Sequence, residues 1–152
     1  MHKDIVAKAE MLIRQPVEKV FEAFANPEIT TKFWFTKSTG ALGAGKSITW
    51  EWEMYGVSTK VIVKAFEKNK RILIEWEGYS GLESVEWIFK EYGKDATFVN
   101  IVNSGFRGNE DEIVKQALDS TGGFTFLLAG LKAYLEHGIQ LSLTADAHPK
   151  GI

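Results

Sequence analysis

A chain of 152 residues, 45% apolar and 25% charged, has the make-up of a globular protein, and one domain over residues 1–152 is the expectation at that length. The formal net charge is −2 with no basic block, which disfavours nucleic acid, because phosphate affinity needs clustered Lys and Arg. Cysteine is absent, so disulfides, thiolate catalysis and cysteine metal sites are excluded, and a reducing compartment fits.

The opening, Met1 to Val6, has no secretory apolar core, and no run reaches the roughly 18 apolar residues of a membrane span. The expected location is cytoplasmic. Residues 4–14 read as a first strand, with a helix as the alternative because Ala7-Lys8-Ala9-Glu10 are good helix formers. Pro16 suits a first helical turn, and Val17, Val20, Phe21 and Phe24 follow at helical spacing. Asn26-Pro27 punctuates, and a second short helix is expected from Glu28 to Lys32.

Gly40 to Ser47 (GALGAGKS) matches the phosphate-loop pattern at every defined position. That loop holds phosphate only when a helix starts directly after it and supplies free backbone N–H groups. Here Ile48-Thr49-Trp50-Glu51-Trp52 follows, a strand pattern, so the stretch reads as a glycine-rich connection.

The middle of the chain alternates with period two. Ile48, Trp50, Trp52 and Met54 share a face; Val57 to Phe66 pairs back after Tyr55-Gly56. Ile72, Ile74 and Trp76 form the next inward set, then Val85, Trp87 and Phe89, then a last strand from Ala96 to Ser104. Glu51, Glu53, Glu75, Glu77 and Glu86 fall on the opposite parity and read as a solvated outer face. About six or seven strands joined by hairpins imply antiparallel pairing and an α+β class, with helices on one face of a curved sheet.

Asn109 to Leu118 reads as a short helix or ordered loop. A terminal amphipathic helix is expected from Gly122 to Gly138, with Asp119, Ser120 or Thr121 capping its start and Gly138 ending it. Phe124, Leu127, Leu128, Leu131 and Leu135 form its apolar stripe.

Chemistry-bearing motifs are sparse. The three histidines, His2, His137 and His148, have no metal-ligand spacing, so neither metal nor cofactor is expected. His137 suits a helix C-terminus, where a cation is favoured. Tyr79-Ser80-Gly81 and Asn103-Ser104-Gly105 read as turns. No nucleophile, base and orienting group can be assembled.

The residues nonetheless resemble a family. Ile13 to Phe24, the Asn26-Pro27-Glu28 step and Phe33-Trp34 resemble the N-terminal signature of the SRPBCC (START-like, birch-allergen-type) superfamily. Asn103-Ser104-Gly105-Phe106 and Gly130 to Gly138 resemble its AHSA-like subgroup, named after the activator of the ninety-kilodalton heat-shock chaperone's ATPase. The resemblance implies a helix-grip fold: a curved antiparallel sheet around a long C-terminal helix, two short helices after the first strand, and an apolar cavity between sheet and helix. Two departures stand out. Phe124 occupies a position that is often Trp in the subgroup, and Asn103 one that is often His, which removes a titratable group from the wall.

Strand parity then gives a candidate lining. Trp50, Trp52, Trp76, Trp87 and Ile101 face the helix, and Phe124, Leu127, Leu128 and Leu131 face back; Trp34 belongs with them. Asn103 is the expected polar anchor, with Phe106 near the mouth. The expected function is non-catalytic binding of a small hydrophobic molecule. The alternatives are a chaperone-interaction module using Gly105 to Leu118 and Ile139 to Leu143, or a cyclase- or hydrolase-like enzyme. Oligomeric state has no signal in the sequence.

Overall fold

A computed structural model describes residues 4–152. Its elements follow the chain as β1 (Ala7–Ile13), α1 (Val17–Ala25), α2 (Pro27–Thr30), β2 (Lys37–Ser38), β3 (Ser47–Trp52), β4 (Val57–Glu67), β5 (Arg71–Glu77), β6 (Leu82–Glu91), β7 (Thr97–Ser104), α3 (Glu110–His137) and α4 (Leu143–Asp146). The strands of the described residues form one antiparallel sheet in the order β1-β7-β6-β5-β4-β3-β2. β1 closes against the last strand, with Ala7 opposite Asn103 and Ile13 opposite Thr97, and α3 crosses the concave face. This is the helix-grip architecture.

β1 is a strand because Ala7, Ala9 and Ile13 alternate inward and the small alanines let α3 approach; helix propensity in Ala7 to Glu10 yields to that burial. Pro16 caps α1 in extended geometry, and the Asn26 side chain accepts from the Glu28 N–H at 3.0 Å to start α2 one residue earlier than expected. The buried Thr30 hydroxyl donates to the Ala23 carbonyl at 2.6 Å, locking the two helices together.

The glycine-rich Gly40–Ser47 stretch leads straight into β3, with no helix behind it. Its Lys46 carbonyl accepts from the Val63 N–H at 2.9 Å, so the loop serves the sheet. Met54 leaves the inward face: Glu53–Tyr55 forms a 3₁₀ turn that ends at Gly56, whose φ is 61°.

The terminal helix is the main correction. α3 runs unbroken over 28 residues from Glu110, not from Gly122. The Asn109 side chain caps it, accepting from the Glu112 N–H at 2.9 Å, and Glu110, Asp111 and Glu112 complement the dipole in the first turn. Asp119, Ser120 and Thr121 are therefore interior residues. Gly122 and Gly123 do not interrupt the helix, because Ala117, Ser120 and Phe124 hold both sides of the pair against the protein interior. Gly138, at φ 67°, ends it as expected.

The concave face is filled largely by rings. Trp34, in the loop after α2, lies within 5.0 to 6.1 Å of the ring centroids of Trp50, Trp52, Trp76, Trp87 and Phe124. Phe35 stacks on Trp50 at 4.7 Å and 19°. The outer face carries the acidic strand residues, with Glu86 paired to Arg71 at 2.6 Å and Glu75 to Lys64 at 3.5 Å.

Candidate functional site

A cavity of about 470 Å³ opens between the first half of α3, one end of strands β3 to β5, and α4. Trp34, Trp52, Trp76 and Phe124 form its wall. Tyr55, Val57, Tyr79, Leu118 and Phe126 surround them, each at least 38% exposed. Gly122 and Gly123 open a gap in the helix side, and Thr144, Ala147 and His148 lie along the far edge. That edge is held by the Tyr55 hydroxyl, which donates to the Thr144 carbonyl, and by the Tyr55 ring against His148 at 6.2 Å.

The polar part of the wall is built across three elements. Asn103 of β7 lines the cavity at 1% exposure. Its Nδ2 donates to the Ser84 carbonyl at 3.0 Å and to Glu83 Oε1 at 3.1 Å; a carbonyl can only accept, so this contact identifies the nitrogen. Its Oδ1 accepts from the Ser120 hydroxyl of α3 at 2.8 Å. Glu83 of β6, only 2% exposed, also accepts from Trp76 Nε1 at 3.2 Å and from the Tyr79 N–H at 2.7 Å. All its contacts are N–H donors, and no ion pair reaches it among the described residues. A carboxyl group this deep is tolerated because its lone pairs are met by donors rather than by water.

Asp119 completes the polar set. Its Oδ2 accepts from the Tyr79 hydroxyl at 2.7 Å. Partial burial of the half-exposed side chain, and then this hydrogen bond, push the Tyr79 phenol well above its ordinary value, so it stays a donor.

The sequence-predicted lining divides in three. Trp34, Trp52, Trp76, Asn103 and Phe124 line the cavity. Trp50, Trp87, Ile101, Leu127, Leu128 and Leu131 face the same interior but are at most 1% exposed and sit behind it as solid core. Parity sorts residues by face; close packing decides which of them meet empty space. Phe106 lies elsewhere, in a small cluster with Ala7 and Ala117 and edge-on to Tyr79 at 6.0 Å. Glu83 escaped the sequence reading although it shares parity with Val85 and Trp87; carrying that alternation two residues back would have found it. Asp119 and Ser120, expected as caps, are interior helix residues at the wall, and Thr144, Ala147 and His148 come to the cavity only through tertiary placement.

Among the described residues, no group of three or more His, Asp or Glu is arranged to hold a metal ion, and His137 and His148 lie on different segments. His2 lies outside the described residues. No helix among them is long and apolar enough to cross a membrane.

The family model described as "Activator of Hsp90 ATPase homolog 1-like protein" matches residues 14–136. The chain belongs to this family. Among solved structures, the AHSA1-like fold recurs in protein SSP2350 from Staphylococcus saprophyticus, which is 31% identical with a TM-score of 0.79, over 90% of this chain and 96% of that one. Protein MLL2253 from Mesorhizobium loti is 18% identical with a TM-score of 0.77, over 89% and 99% of the two chains. The Aha1 dimer from Colwellia psychrerythraea is 19% identical with a TM-score of 0.73, over 88% and 98%. The last two show the fold alone. No curated protein gives a significant match.

Proposed function

We propose that this AHSA1-like chain binds a small hydrophobic, partly aromatic molecule between its sheet and α3. The observation that carries this reading is the cavity of about 470 Å³ walled by Trp34, Trp52, Trp76 and Phe124, with hydrogen-bonding groups of Asn103, Ser120 and Asp119 on one side. Concave, mostly apolar sites with a few placed polar groups are the usual seats of small ligands. Three tryptophans in the wall make the test direct. A soluble aromatic such as naphthalene is expected to change tryptophan emission saturably and to raise the melting temperature; a broad set of apolar probes that does neither would overturn the reading.

A second reading rests on the family's description and on exposed apolar side chains. Val114 and Leu118 on α3 are 39% and 69% exposed, and Ile139 and Leu141 beyond it are 50% and 45% exposed. In this reading the chain docks on a chaperone ATPase of the kind the family description names, and the two segments Gly105 to Leu118 and Ile139 to Leu143 form the contact. An unchanged ATPase rate of such a chaperone in the presence of the purified chain would remove it.

A further inference from the structure

The cavity has a consistent electrostatic sign. None of its lining residues is Lys or Arg, while Asp119 contributes a carboxylate at the wall. A second carboxyl group, Glu83, lies one side chain behind, touching the wall through Trp76 Nε1 and Asn103 Nδ2. Arg107 lies over Gly81 on the neighbouring turn but forms no ion pair with Glu83 among the described residues. Asp119 Oδ2 is occupied by Tyr79, and Oδ1 has no hydrogen-bond partner among the described residues. The remaining wall is aromatic, and ring faces carry the negative end of the aromatic quadrupole.

From this combination we infer that the preferred ligand is a hydrophobic organic cation, an aromatic or alkyl molecule bearing an ammonium group, and that carboxylate or sulfate ligands are rejected. The inference rests on the binding reading above and adds the charge of the guest. A cation within about 6 Å of Trp or Phe faces is attracted by the ring quadrupole, more strongly where water is excluded. The Asp119 carboxylate adds a direct ion pair at the wall, and the Glu83 carboxyl group, which no cation reaches among the described residues, lies behind that same wall. An anion meets the same terms with reversed sign, with no lysine or arginine in the lining to offset them and His148 only at the far edge.

Titration calorimetry with three naphthalene probes of nearly one size tests it: 2-naphthylmethylammonium, 2-naphthalenemethanol and 2-naphthoate, at about pH 7.5 so that an ordinary histidine is neutral. The ammonium probe is expected to bind about tenfold more tightly than the alcohol, and the carboxylate more weakly than both. Asp119→Asn should cut the ammonium-over-alcohol affinity ratio severalfold. Glu83→Gln, which preserves shape, should reduce the preference in the same direction if it folds; Asp119→Asn decides the matter if it does not. Equal or tighter binding of the alcohol or the carboxylate overturns the cation preference and leaves the cavity reading standing. Persistence of the full ammonium advantage in Asp119→Asn also overturns it. Failure of all three probes to bind overturns both.

Discussion

At the scale of single residues, Gly78 shows how closely the buried carboxyl group is fitted. A Cβ at this position would lie 2.1 Å from Glu83 Cδ and 2.2 Å from each carboxyl oxygen. Gly78→Ala must therefore push Glu83 off Trp76 Nε1 and the Tyr79 N–H, leaving buried polar groups without partners. The expected loss is about 2 kcal/mol or more, because each orphaned buried group costs about 1–3 kcal/mol. Thermal denaturation together with tryptophan emission checks it, and an unshifted melting point would mean that Glu83 has room to move. Asn103 illustrates the companion point. Its residue type and inward parity were readable from the chain, but its partners were not. Glu83 and Ser120 lie 20 and 17 residues away, and only strand register and the seating of α3 bring them to it.

At the scale of elements, α3 departs from simple helix rules at its centre. Gly122 and Gly123 lie in mid-helix, where each costs close to 1 kcal/mol relative to Ala. A Cβ added at either meets nothing within 4 Å. Gly122→Ala and Gly123→Ala are thus each expected to raise stability by about 0.5–1 kcal/mol. Both glycines also line the cavity, so the same substitutions narrow it and should weaken binding of an aromatic probe. Denaturant melts and ligand titration on the two variants separate these effects. The glycine pair is also why the helix looked shorter in sequence. Asp119-Ser120-Thr121 followed by two adjacent glycines looks like a cap and a start, whereas the cap is Asn109, ten to twelve residues upstream of those three. Local propensity was overruled by tertiary burial of Ala117, Ser120 and Phe124.

At the scale of the whole molecule, the end of α3 is clamped to the corner after β1. Arg14 N–H donates to Glu136 Oε2 at 2.8 Å, Gln15 Nε2 to the Leu135 carbonyl at 2.9 Å, and Lys132 Nζ to both the Leu12 carbonyl and Glu136. Burial by itself would raise the Glu136 carboxyl group, but the Arg14 N–H and the Lys132 ammonium outweigh it and hold it below its ordinary value of 4.5. The folded state thus binds this proton less readily than the unfolded chain. The stabilisation is present above 4.5 and is lost as pH falls through the lower folded value. Glu136→Gln should cost about 1–2 kcal/mol near neutrality, and the gap to the parent should close in acid. Melting curves across that range check it; a gap that widens on acidification would reverse the assignment.

The sequence by itself determined the class, the order of the long strands around the first helix and before the last, and the inward parity of Trp50 to Ile101, because alternation and turn residues are local and need only neighbours along the chain; its motifs carried the resemblance to the family. Tertiary structure alone decided which inward residues border empty space. Trp52 and Trp76 border it while Trp50 and Trp87, of the same parity, do not, since the difference lies in where Trp34, Phe35 and Phe124 arrive from distant segments. It also decided that Glu83 is held without a cation, because hydrogen-bond partners that replace water around a buried carboxyl group are assembled by register and helix placement, and neither is written in any single stretch of chain.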